Sequence, residues 1–185
     1  MKRKKTFGQK KQVLLYHVGA QEEALLGVLH SLSIPARVLN GTELDETIGY
    51  LCGIYGFPPA GSSCQEEPPA EALLIFSGIS RTELDKILSA ARQAGLTVPA
   101  LKAMVTQTNR NWTVRQLIDE IQKEHQLMHA LAALKRLRQS VSLEGEPDDA
   151  LLRAAAHADV LLNGMKQPTL ADVQQAEREL NEALK

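Results

Sequence analysis

His17, Ser77 and Thr106 are the side chains with which this chain could move a proton or activate a nucleophile, and each lies at the end of a short apolar run. An imidazole titrates near neutrality, and a hydroxyl within its hydrogen-bond reach gains nucleophilicity. Asn40, Gly78, Ser80, Lys102, Thr108, Asn109 and Trp112 occupy comparable positions within or just after apolar runs. Gathered on one rim, these ten residues would offer hydroxyls, amides, one imidazole and one ammonium, a set suited to a small anionic metabolite. No carboxylate is placed in sequence to orient His17, so no acid/base pair is spelled out and no residue is assigned as catalytic.

Each candidate also has a plainer role. His17 at a strand end fits a hydrogen-bonded turn residue, and Thr106, Thr108 and Asn109 fit a turn that caps a helix. Trp112 fits a packing anchor under the helix that follows it, and Lys102 a solvated edge-strand residue. His125 and His129 stand one helical turn apart and could share a metal, but HExxH is absent and no further Cys or His is near in sequence. GxxxxGK[ST], GxGxxG and GxSxG are absent as well, so no cofactor or metal is assigned.

The elements that must position these residues read clearly. Residues 13–18, 36–39, 73–76 and 101–105 are short apolar runs bounded by turn residues, as strands are. Between them apolar residues recur at helical spacing: Leu25, Val28, Leu29 and Leu32; Leu44, Ile48 and Leu51; Leu84, Ile87, Leu88 and Ala91; Val114, Leu117, Ile118 and Ile121. The order βαβαβαβα predicts an α/β fold with a small parallel four-stranded sheet flanked by helices. The first and third strands are the more continuously apolar and belong in the centre, giving the order 2-1-3-4, flavodoxin-like. In such a sheet ligands bind beyond the carboxyl ends of the strands, where His17, Asn40, Ser77 and Thr106 would converge. Ser80 with Glu83, and Thr113 with Gln116, have capping-box spacing and fix two helix starts.

From Thr113 the helical pattern continues to about Gln139, roughly 40 Å of helix and longer than a small sheet can cover. Two more apolar stripes follow, Leu151 to Leu162 and Val173 to Leu184, so a C-terminal three-helix extension is expected. Thr169 with Asp172 can cap the last helix. The segment 57–71, with four prolines, reads as a flexible connector. The expected organisation is a basic disordered arm at 1–11, an α/β domain at 12–126 that should fold alone, and a helical extension at 127–185.

With 44% hydrophobic and 23% charged residues and no apolar run near ~20 residues, the composition is that of a water-soluble chain. Lys2, Arg3, Lys4, Lys5, Lys10 and Lys11 supply six of the 21 positive residues, leaving 15 against 22 acidic ones in the rest. Weak nucleic-acid contact through this arm is one reading, although aromatic content of 4% argues against a stacking platform. The short apolar run after the arm lacks the form of a secretion signal. Cys52 and Cys64 form no CxxC pair and suit reduced thiols in a cytoplasmic protein.

The stretch ALLIFSGISRTELDKILSAARQAGLTVPA followed by LKAMVTQTNRNWTVRQLIDEIQKEH resembles an uncharacterised bacterial family, domain of unknown function 3783. The resemblance rests on Ser77, Gly78, Leu101, Lys102, Ala103, Thr106, Thr108, Asn109, Trp112, Glu124 and His125, and is taken to extend over about residues 12–126. Gln107 stands where proline is expected in many relatives, which leaves that loop less rigidly specified. The resemblance implies a family and carries no activity with it. The residues favour a non-catalytic ligand-sensing or protein-interaction module, with a partner or a second copy engaged through residues 127–185. An enzyme acting on a small anion at the sheet rim is the alternative.

Overall fold

Four strands run in chain order with helices between them: β1 (Gln12–Tyr16), α1 (Glu22–Ser31), β2 (Ala36–Leu39), α2 (Ile48–Leu51), β3 (Leu73–Ser77), α3 (Arg81–Gln93) and β4 (Leu101–Met104). The helices α4 (Val114–Ser140), α5 (Asp149–Asn163) and α6 (Leu170–Ala183) follow. The computed structural model describes residues 10–61, 67–141, 148–164 and 168–184. Cys64 and most of the basic arm therefore lie outside the described residues. The chain divides into two compact units, Met1–Ile121 and Gln122–Lys185. No helix among the described residues is long and apolar enough to cross a membrane.

The sheet order is 2-1-3-4, as expected, but the sheet is mixed and the all-parallel, flavodoxin-like expectation is corrected. β1 pairs with β2 in parallel and β3 with β4 in parallel, whereas β1 and β3 are antiparallel, Gln12 opposite Ser77 and Tyr16 opposite Leu73. The cause lies in the second connection. α1 and α3 have 10 and 13 residues, enough to carry the chain back along the sheet. The second connection holds no such helix: α2 has only four residues, a rise of about 6 Å, and β3 enters at the rim where β2 leaves, Leu39 and Leu73 both lying beside Tyr16. The helix expected from Leu44 is instead a 3-10 turn at Gly41–Glu43 and then this short α2.

Antiparallel pairing at the centre makes the α/β unit a pseudo-dimer of two half-units. Val13, Leu14 and Leu15 correspond to Leu74, Ile75 and Phe76, and Ala36, Arg37 and Val38 to Lys102, Ala103 and Met104, because every strand pair maps onto another. The pair Leu14 and Ile75 maps onto itself, and so does the isolated antiparallel bridge between Thr47 and Thr113. A pseudo-two-fold axis thus passes through both. Thr47 and Thr113 are also equivalent in role, the hydroxyl of each accepting from a backbone N–H three residues on, at 3.3 and 3.1 Å.

Alternation along the strands sorts the core onto two faces. Val13, Leu15, Leu74 and Phe76 bury against Leu25, Leu29, Ile87 and Ala91 of α1 and α3. Leu14, Tyr16, Leu73 and Ile75 bury against Ile48, Leu51, Val114, Leu117 and Ile118 of α2 and the start of α4. Helix starts are fixed by the expected caps: Ser80 with Glu83, Thr113 with Gln116 and Thr169 with Asp172. In the helical unit α5 buries Ala154, Ala155 and Ala158 against Val173, Ala176 and Leu180 of α6, with Leu134 of α4 in the same cluster.

The Glu83 carboxylate is held down to about 2, first by Lys11 and then by the backbone and hydroxyl of Ser80. A carboxylate with a depressed folded-state value stabilises the fold above its ordinary 4.5, and that contribution is lost as pH falls from there through about 2. Glu83→Gln should therefore flatten the acid limb of a circular-dichroism titration between those values. An unchanged limb would show that the Lys11 contact is not maintained in solution.

Candidate functional site

The candidate residues divide between the two ends of the sheet. Because β1 and β3 are antiparallel, His17 and Asn40 follow the carboxyl ends of β1 and β2 at one end, while Ser77, Gly78, Ser80, Thr106, Thr108 and Asn109 lie at the other. Gln12 is opposite Ser77, so His17 is separated from Ser77 by five strand residues, roughly 17 Å at ~3.4 Å each. That exceeds any direct or one-water proton path. The expected single rim does not form, since it required all four strands to point the same way.

At the β1 end, His17 adopts φ 52°, a left-handed turn conformation that histidine tolerates better than most side chains. Its Nδ1 pairs with the carbonyl of Ala70, and its ring tilts against Tyr16 at 5.8 Å between centroids. The Tyr16 hydroxyl donates to the Pro69 carbonyl at 2.7 Å, and burial pushes its proton affinity up despite the nearby Arg115. Arg115 donates to Asp45 at 3.2 Å and to the Glu67 carbonyl at 3.0 Å. Residues 67–70 are thus held by Tyr16 and His17 at the end of β1 and by Arg115 of α4. Phe57 packs over Gly49, where an added Cβ would meet its ring at 2.4 Å, and lies 5.8 Å under the Arg110 guanidinium. The flexible-connector expectation for 57–71 is corrected at these described residues, and Phe57 was the apolar anchor it overlooked; residues 62–66 lie outside the described ones. Asn40 caps the 3-10 turn after β2, accepting from Thr42 N at 3.0 Å, while its own N–H donates to Glu43 at 3.0 Å.

At the β3 end the polar groups serve the turns. Gly78 has φ 61°, and Ser80 caps α3. Thr106 N donates to Asn109 Oδ1 at 2.7 Å and Asn109 N to Thr106 Oγ1 at 3.2 Å, a reciprocal pair. Asn109 is buried, and its amide also donates to the Met104 carbonyl at 2.9 Å. Thr108 is exposed at the start of the next turn and makes no capping bond. Lys102, near the start of β4, donates to the carbonyls of Pro99 and Ala100 at 2.6 and 3.0 Å. Trp112 is half-buried against the cluster beneath α4, its carbonyl accepting from Ile48 N at 2.9 Å.

Ser77 differs from these: it is fully buried and its hydroxyl makes no conventional hydrogen bond. It lies against the Cys52 thiol, which burial pushes up and Ser77 partly restores. Cys52 is a free, buried thiol and borders a cavity of about 330 Å³ with Lys10, Arg37, Glu43, Tyr50 and Gly53. Arg37 and Glu43 both line it, and Arg37 donates to Glu43 at 2.8 Å. Sequence reasoning missed this cavity because Lys10, Arg37 and Cys52 come from three separate segments with no motif spacing. In the helical unit, His125 and His129 border a cavity of about 560 Å³ with Gln122, Gln126, Leu170 and Gln174. Among the described residues no three His, Cys, Asp or Glu side chains gather as a metal site would require.

No curated protein and no solved structure matches the chain. A family model does match, over residues 72–128, which is the second half-unit from β3 into α4 and less than the expected span from residue 12. The first half-unit, its pseudo-two-fold mate, lies outside the match. Residues 72–128, about a third of the chain, are accordingly similar to the family described as a domain of unknown function, DUF3783.

Proposed function

We propose that the chain is a non-catalytic protein-interaction module in which the helical unit presents the partner surface. The observation that carries this reading is on α5. One side of that helix is fully engaged, with Ala154, Ala155 and Ala158 at 5% exposure or less, yet Val160 on the other side is 66% exposed and Leu152 43%. Leu152, Ala156 and Val160 are exposed at four-residue steps along that side, and a contiguous exposed apolar stripe marks an interaction surface where scattered single residues do not. The sheet ends support the same reading from the other direction. His17, Asn40, Ser80, Lys102, Thr106 and Asn109 all direct polar atoms into bonds within the chain, which positions turns and helix starts.

The test compares the full chain with a chain ending at residue 126, which keeps every residue of both sheet-facing cores. The shorter chain is expected to keep its cooperative melt by circular dichroism while losing whatever partners, or self-association, the full chain shows in affinity capture and light scattering. Identical behaviour of the two chains in both measurements would overturn the reading.

A further inference from the structure

We propose that the outward face of α5 docks against the same face of a second copy of this chain, antiparallel and centred on Ala156. This rests on the interaction reading above and names its partner. The exposed residues of α5 include Asp149, Leu152, Arg153, Ala156, Val160 and Asn163, which recur at the three- and four-residue steps that place side chains along one side of a helix. That row is self-complementary when reversed. With Ala156 opposite its own copy, Leu152 meets Val160 of the second chain, Arg153 meets Asp159, and Asp149 meets Asn163. Each apolar residue finds an apolar partner and each cation an anion, twice over by symmetry.

The details favour this register. Ala156 is the small residue at the crossing point and lets two helices approach closely. Asp159 is held at one oxygen by Arg138 at 2.9 Å, and its side chain remains 45% exposed, so the carboxylate is already oriented when a second chain's Arg153 arrives. The reversed register also sets the helix dipoles antiparallel. A helix of 15 residues spans roughly 22 Å, so one such pair buries less than the standard interface of about 1,600 Å². The dimer is therefore a weak one, with dissociation on the order of micromolar.

Three measurements on the full chain test this. Light scattering and sedimentation over a concentration series should show a monomer–dimer equilibrium, and Val160→Asp should weaken it at least tenfold by forcing two carboxylates into the apolar contact. In a Cys64→Ser background, Ala156→Cys should cross-link to itself readily under copper-phenanthroline oxidation, since that position lies on the axis. Leu152→Cys alone should cross-link slowly, but rapidly when mixed with a Val160→Cys chain. A native chain that stays monomeric to about 100 μM, on the order of a hundred times that dissociation constant, overturns the proposal. So does a dimer that Val160→Asp leaves unchanged, or cross-linking that favours Leu152→Cys with itself. In each of these cases the interaction reading survives if the full chain still retains a partner that the chain ending at 126 does not.

Discussion

A chain cut to residues 72–128 is expected to fail as a folded monomer and to recover structure only as a homodimer. β3 is the reason. Leu73, Leu74, Ile75 and Phe76 are each at 1% exposure or less, and β1 covers one entire edge of the strand. Burying one such side chain contributes about 1.5–3 kcal/mol, and a whole domain is stable by only about 5–15 kcal/mol. Removing β1 and the half-unit behind it uncovers part of all four, together with five residues of unpaired strand edge. A second copy can repair the loss in the native geometry. Because Leu14 and Ile75 lie on the pseudo-two-fold axis, β3 can pair with another β3 about Ile75, as β1 does now, and Thr113 can meet its own copy where it now meets Thr47. Light scattering on the excised segment checks this, with Ile75→Lys expected to abolish both dimer and helical signal. A cooperative melt from a monodisperse monomer would show that residues 12–52 are dispensable, and the half-unit description would fall.

The parts of this fold that were legible in sequence are those written by local rules. Ser80 with Glu83 and Thr113 with Gln116 announce helix starts through side chains that satisfy their own backbone, and the structure places α3 and α4 there. The central position of β1 and β3 followed from apolar runs, because a strand covered on both faces has no polar side, although β1 ends at Tyr16 and not at residue 18 as expected. Strand direction is not local. It depends on which rim the chain reaches after β2, and a four-residue helix looks the same in a periodicity pattern as the first turn of a longer one. The duplicated signal was nonetheless present: Thr47-Ile48 with Leu51 three residues on, and Thr113-Val114 with Leu117, occupy equivalent places about the axis. The candidate site inherited the error in direction. His17 directly follows β1 and Ser77 ends β3, and the turn role weighed for His17 is a local property; only their meeting required the global one.

The two units should also melt separately, and a cavity in each will show it. Leu14 is fully buried among Ile75, Ile48 and Leu117, all in the first unit, and Leu134 is fully buried among Ala154, Val173 and Leu180, all in the second. Leu→Ala at such a site costs the transfer of the lost atoms plus the cavity they leave, about 3 kcal/mol. In a small unit that loss moves the midpoint by roughly 12–24 °C, since 1 kcal/mol is worth about 4–8 °C at that size. Leu134→Ala is therefore expected to bring the helical unit's transition down by that amount while the α/β transition stays in place. Leu14→Ala should do the reverse, with a smaller shift because the first unit is larger. Differential scanning calorimetry reads both transitions in one scan. Were either substitution to lower a single shared transition, the cores would be cooperating through the continuous helix α4, and loss of the helical unit would no longer separate partner binding from folding.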